Sequence, residues 1–192
     1  MAAKCRICKG VRSQQQVQRM DPTCGEIACK ITHCDNHIAK KRKADDKAWR
    51  AETVKRKKAA KSKGDWAKEA QQQFNRFIRF RDHAEPCISC QRHHEGQYHA
   101  GHFRTVGANP ELRFHEHNCH KQCAPCNNHL SGNISNYRPA LMLKIGEEEL
   151  IHLEGPQHAK RYAIKDYERI KIKYKVKADE LARRIETESV GV

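Results

Sequence analysis

Residues 87–132 read CISCQRHHEGQYHAGHFRTVGANPELRFHEHNCHKQCAPCNNHLSG. Two Cys-x-x-Cys pairs stand in this stretch, Cys87 with Cys90 and Cys123 with Cys126, separated by 32 residues. Two thiolates spaced this way can turn onto one tetrahedral ion, and two such pairs fill a zinc shell with no open position left for catalysis. The spacing therefore predicts a structural zinc site, and makes everything between the pairs a loop pinned at its base.

Working outward, the composition explains why such a staple is needed. The chain has 192 residues, 38% hydrophobic and only 6% aromatic, so one large core spanning it is not expected. Ten cysteines supply staples instead. No apolar run is long enough to cross a membrane, and without an apolar stretch near residue 1 no signal peptide is expected. A cytoplasmic protein is expected, where paired cysteines bind metal more often than they form disulfides. The net charge of +15 attracts polyanions, nucleic acid first among them.

Three segments are expected: 1–34, 35–64 and 65–192. The first carries Cys5 and Cys8 at knuckle spacing, with Cys24, Cys29 and Cys34 competing to complete a second zinc site. Cys29 and Cys34 are favoured, on the expectation that a helix starts directly after them. His33 and His37 are possible substitutes. Segment 35–64 holds twelve Lys or Arg against four acids, including Lys40, Lys41, Arg42, Lys43 and Lys55, Arg56, Lys57, Lys58. Its apolar marks are too few to bury a face. It reads as an exposed helical arm whose cations contact phosphates, the bland alternative being a solvated linker.

Gly64 breaks the run, and Asp65 is expected to cap the next helix. There Trp66, Ala70, Phe74, Phe77 and Ile78 recur at three- and four-residue steps, up to about His83. Beyond the pinned loop, Tyr137, Leu141, Ile145, Leu150, Ile151 and Leu153 predict one or two short helices. After Gly155-Pro156, Ile164, Tyr167, Ile170, Tyr174, Leu181 and Ile185 mark a final helix over about 164–187. Both stripes read as core packing. The fold class expected is α+β, mostly helical, with a small central finger flanked by helices.

Within the pinned loop, His102 precedes Asn118, and Asn127 follows Cys126. A His, then an Asn ahead of a Cys-x-x-Cys pair, then an Asn after it, resembles the HNH, or ββα-metal, nucleases. Longer strings resemble the NinG (Rap) recombination proteins of lambdoid phages: Pro86-Cys-Ile-Ser-Cys90, Ala100-Gly-His-Phe-Arg-Thr105, Leu112-Arg-Phe114 and Asn118-x-His120-Lys-Gln-Cys123. Cys126-Asn-x-His129, Ser131-Gly-Asn133, Ala70-Gln-Gln72, Phe77-Ile-Arg79 and Arg81-Asp82 belong to the same pattern.

The resemblance implies a zinc-stapled ββα finger and a metal-dependent endonuclease acting on branched DNA, such as Holliday or three-way junctions and D-loops. In it His102 is the general base, oriented by a backbone contact from Asn118, and Asn127 is a ligand of catalytic Mg²⁺ or Mn²⁺. An imidazole titrates near neutrality and can take a proton from water, which suits the role. The sequence departs from the pattern at Gly101, where many such sites carry a metal-binding Asp. His99, then His129, or His120, or water, would supply the missing ligand. It departs again at Leu130, where many finger helices carry Lys; Arg104 is the candidate for that phosphate contact. Cys119 reads as a small buried residue. Two symmetric cuts in a junction suggest a homodimer, with the final helix as the contact. The competing readings are a non-catalytic zinc-dependent nucleic-acid binder, and a homing or restriction nuclease cutting duplex DNA at a sequence.

Overall fold

The structure is a computed structural model, and it describes residues 3–190. The outermost residues of the first and last expected segments, 1–2 and 191–192, lie outside these. The chain divides into two compact units, Met1–Ala60 and Lys61–Val192.

In the first unit, Lys4 bridges Val11 and closes the Cys5–Cys8 turn, with the Cys5 N–H donating to the Gly10 carbonyl at 2.7 Å. A short helix, α1 (Gln14–Gln18), is capped by Ser13, which shares a capping box with Gln16. Gly25 then turns the chain at φ 90°, a conformation open to glycine, and leads into α2 (Ile27–Ala59). The helix starts earlier than expected. Cys29, Cys34 and the whole basic arm ride on one continuous helix, because nothing between Ile27 and Ala59 breaks it: the stretch has no Pro and no Gly.

The second unit opens with α3 (Lys63–Arg81). Its N-cap is Ser62, not Asp65: Ser62 accepts from the Asp65 N–H while the Asp65 carboxylate takes the Ser62 N–H. Asp65 serves the cap from its third position, and Gly64 lies inside the helix. The expected stripe is buried, and it packs on α6 (Ile164–Val190) through Tyr167, Tyr174 and Ala178. The expected short helices are two, α4 (Ile134–Ile145) and α5 (Glu147–Glu154). They form a second core in which Tyr137, Leu141, Leu150 and Leu153 enclose Ile88, Phe103 and Leu112.

Between these cores lies a two-stranded antiparallel sheet, β1 (Tyr98–His102) and β2 (Cys119–Cys123), followed by a single helical turn, Pro125–His129. The register sets His102 opposite Cys119, Gly101 opposite His120 and Tyr98 opposite Cys123. A clasp fixes α3 to β2. The Arg81 guanidinium grips the Asp82 carboxylate at 2.7 and 2.8 Å and donates to the carbonyls of Glu116 and Cys119, both at 2.9 Å. Asp82 in turn accepts the Lys121 N–H at 3.0 Å. Among the described residues, no helix is long and apolar enough to cross a membrane.

Candidate metal centres and a braced histidine

Cys87, Cys90, Cys123 and Cys126 converge, as the spacing predicts, with their sulfurs within 4.8 Å of one another. Cys87 and Cys90 flank a tight turn and Cys123 ends β2. Burial raises the Cys87 thiol, but N–H groups of Cys90, Cys123 and Ser89 outweigh it and bring the thiol down to about 7. A sulfur surrounded by N–H donors is prepared to be a thiolate, the form that binds zinc. The donor set fits a structural zinc ion.

A second group in the first unit joins Cys5, Cys8, Cys24 and Cys29, again within 4.8 Å. Cys24 takes the place expected for Cys34. Cys29 and Cys34 share α2, where five residues advance the chain by about 7.5 Å and carry the second thiol round to a different face. Cys34 is exposed, whereas Gly25 folds Cys24 back until its sulfur lies 3.7 Å from that of Cys8. Burial raises the Cys5 thiol, yet N–H groups of Cys8, Ile7 and Cys24 lower it to about 6.

His102 closes β1, where its ring lies near Phe74 at a centroid distance of 6.2 Å. Its Nε2 lies 3.0 Å from the Arg113 carbonyl. A carbonyl can only accept, so this contact puts the proton on Nε2 and leaves Nδ1 as the basic nitrogen, facing Cys119 Sγ at 3.8 Å. Burial holds the imidazole below its ordinary value, with the Arg113 carbonyl opposing. At neutral pH the ring is therefore an uncharged base.

The orienting contact differs from the expected one, since the carbonyl belongs to Arg113 and not to Asn118. Asn118 acts one step back. Fully buried, it accepts the Arg104 N–H at 2.8 Å and donates to the carbonyls of Arg104 at 3.0 Å and Leu112 at 3.2 Å. Its own carbonyl takes the Phe103 N–H at 2.9 Å. It thus ties both ends of the 103–113 loop and holds Arg113 against His102, while the Arg113 side chain donates to Gln71 of α3 at 2.8 Å.

The remaining candidate ligands do not gather around His102. Opposite residues in an antiparallel pair share a face and neighbours alternate, which sets His99, Gly101 and His120 on the face away from His102. His120 is buried against the Tyr137 hydroxyl at 3.3 Å, and burial lowers it to about 3. Asn127 is half-buried and donates to Asn128 at 2.7 Å; His129 is exposed. Among the described residues, the groups of three or more His, Cys, Asp or Glu donors are the two cysteine clusters. The side chains therefore do not form a ready cage for Mg²⁺ or Mn²⁺.

Gly101 also has a structural cause. A Cβ there would overlap the buried Gln122 carboxamide, which crosses beneath it to donate to Ser89 Oγ at 2.6 Å and to the Gly132 carbonyl. Gln122, Asp82 and Tyr137, whose hydroxyl donates to the Gly101 carbonyl at 3.0 Å, were not legible as site residues in the sequence. Cys119 is buried, and burial pushes its thiol up. Arg104 pairs with Asn109 at 3.1 Å, and Leu130 is exposed. The cations Lys40, Lys41, Arg42, Lys43, Lys55, Arg56, Lys57 and Lys58 are all exposed on α2.

Comparison with known proteins returns one family model, described as Bacteriophage Lambda NinG protein, which matches residues 1–186. Protein ninG of Escherichia phage lambda is 45% identical over 126 residues, covering 66% of this chain and 62% of that protein. Protein ninG of Salmonella phage P22 is 44% identical with the same coverage, and that of Enterobacteria phage H19B is 46% identical over 116 residues, 60% of this chain and 58% of that protein. The matched region thus spans less than two thirds of these curated relatives. No solved structure matches.

Proposed function

From the premise that the chain belongs to the NinG family, we propose that it is an HNH-type endonuclease that cuts branched DNA, with His102 as general base. One observation carries this reading: a neutral imidazole, fixed in one tautomer by the Arg113 carbonyl, stands at the end of a zinc-ready hairpin with Nδ1 as its acceptor. In the reaction His102 Nδ1 takes a proton from water. The water oxygen bonds to phosphorus while the bond to the 3′ oxygen breaks, and the departing oxygen takes up a proton from solvent. Asn118 is a positioning residue, acting through the loop that presents Arg113. A hard divalent ion would draw most of its coordination from phosphate oxygens and water. The exposed cations of α2 supply attraction for the DNA backbone.

The scatter of His99, His120 and His129 favours a second reading, a zinc-dependent nucleic-acid binder without catalysis. The test is incubation of the protein with a labelled four-way junction and a linear duplex of equal length, in Mg²⁺, Mn²⁺ or EDTA. Metal-dependent cutting confined to the junction supports the proposal. Cutting of both DNAs favours the duplex nuclease, and binding of the junction without cutting in either metal favours the binder.

A further inference from the structure

Seen down its axis, α2 has two unlike faces. Lys40, Lys43, Lys47 and Arg50 recur at three- and four-residue steps and form a basic stripe. On the other side of the helix runs a line through Ile31, Ile38, Arg42, Asp45 and Trp49. Ile38 and Trp49 fall on the same line because their separation is close to three helical turns. These apolar side chains are not covered: Ile31 is 56% exposed, Ile38 48% and Trp49 70%. The other tryptophan, Trp66, is buried in α3 at 5%.

We propose that this face of α2 is an interface for a second copy of the same chain, paired antiparallel about a two-fold axis. The line is complementary to its own reverse. Setting Ile38 against Trp49 of the other copy brings Arg42 opposite Asp45, and the two-fold repeats both contacts. An apolar pair and an ion pair therefore form twice in one register. Parallel pairing would instead set Arg42 on Arg42 and Asp45 on Asp45. Ile31 falls opposite Arg56, whose aliphatic stem can cover it while the charge stays in water. The occupant is another copy rather than DNA, because the charges on this face cancel, Arg42 against Asp45 and Arg56 against Glu52 at 3.2 Å, and offer phosphate no net attraction. Each basic stripe stays free on the outer side of the pair. The contact is small beside that of an obligate dimer, so the association is concentration-dependent.

Sedimentation velocity on the full, zinc-loaded chain without DNA tests this, independently of any nuclease activity. The wild type should dimerise with rising concentration, with Trp49 emission shifting to the blue. Arg42→Asp and Asp45→Arg should each raise the midpoint concentration at least about tenfold, and the double variant Arg42→Asp/Asp45→Arg should restore it. Both positions are exposed on the helix, and circular dichroism verifies that α2 remains folded in each variant. A wild type that stays monomeric, or a dimer indifferent to both single changes, overturns the interface. A double variant as weak as the singles overturns the antiparallel register.

Discussion

Gly101 takes the place of an aspartate only under the proposed HNH reading, and the neighbouring Gln122 carboxamide fills the space a side chain would need. Replacing it with Asp should not install a ligand. Gly101→Asp should instead destabilise the second unit by about 1–3 kcal/mol through overpacking alone, and by more because a carboxylate is buried. Thermal denaturation measures it, and an Asp variant as stable as the wild type would contradict the close fit. For His102, burial lowers the folded-state pKa below its ordinary value of 6.5. The base is therefore neutral above that depressed value and protonated below it. The cleavage rate should be flat through neutral pH and fall only as pH drops through that depressed value. A rate still rising between pH 7 and 8 would point to another group. The four cysteines were legible in the sequence from the spacing of their two pairs, whereas His102 and Asn118 were singled out only by resemblance to a family pattern. The Arg113 carbonyl was not, since any residue type presents the same carbonyl and only the folded loop selects which one faces the ring.

Helix α3 shows how an element is bound to the hairpin that carries the candidate base. The Arg81–Asp82 pair, with side chains 24% and 3% exposed, connects the end of α3 to three backbone groups near β2. Removing one partner strands the other: Asp82→Ala should cost about 3–5 kcal/mol, read as a large fall in melting temperature. Despite burial, Arg81 holds the Asp82 carboxyl below its usual range. Its contribution is therefore present at neutral pH and is lost as pH falls through that depressed value, and a stability profile without this acid loss would count against the clasp. The helices themselves were legible, because α3 and α6 bury stripes at helical spacing. Their ends were not. Ser62 precedes Asp65 by three residues, so either could read as a cap, and only the reciprocal hydrogen bonds decide between them. Cys34 misled for a related reason: its spacing from Cys29 suits a loop, while the segment is helical and turns the thiol away.

At the scale of the whole molecule, a basic helix in one unit accompanies a zinc-ready hairpin in the other, and the excess positive charge is concentrated on the former. If α2 binds phosphates, the logarithm of junction affinity should fall steeply with the logarithm of salt. Changing Lys40, Lys43, Lys47 and Arg50 to Gln should then flatten that slope by about 0.9 for each phosphate that the variant leaves unneutralised. An unchanged slope would make α2 a spacer. The net charge sets an expectation of a polyanion partner from composition alone, but the division near residue 60 does not show in it, since the basic run continues past that point to Lys61 and Lys63. The central claim concerns chemistry, and comparison of wild type with His102→Ala on a labelled four-way junction in Mg²⁺ tests it most directly. Cleavage should fall by at least about a hundredfold in the variant while junction affinity changes less than about twofold. A variant that binds normally and cuts at the wild-type rate would contradict His102 as the base.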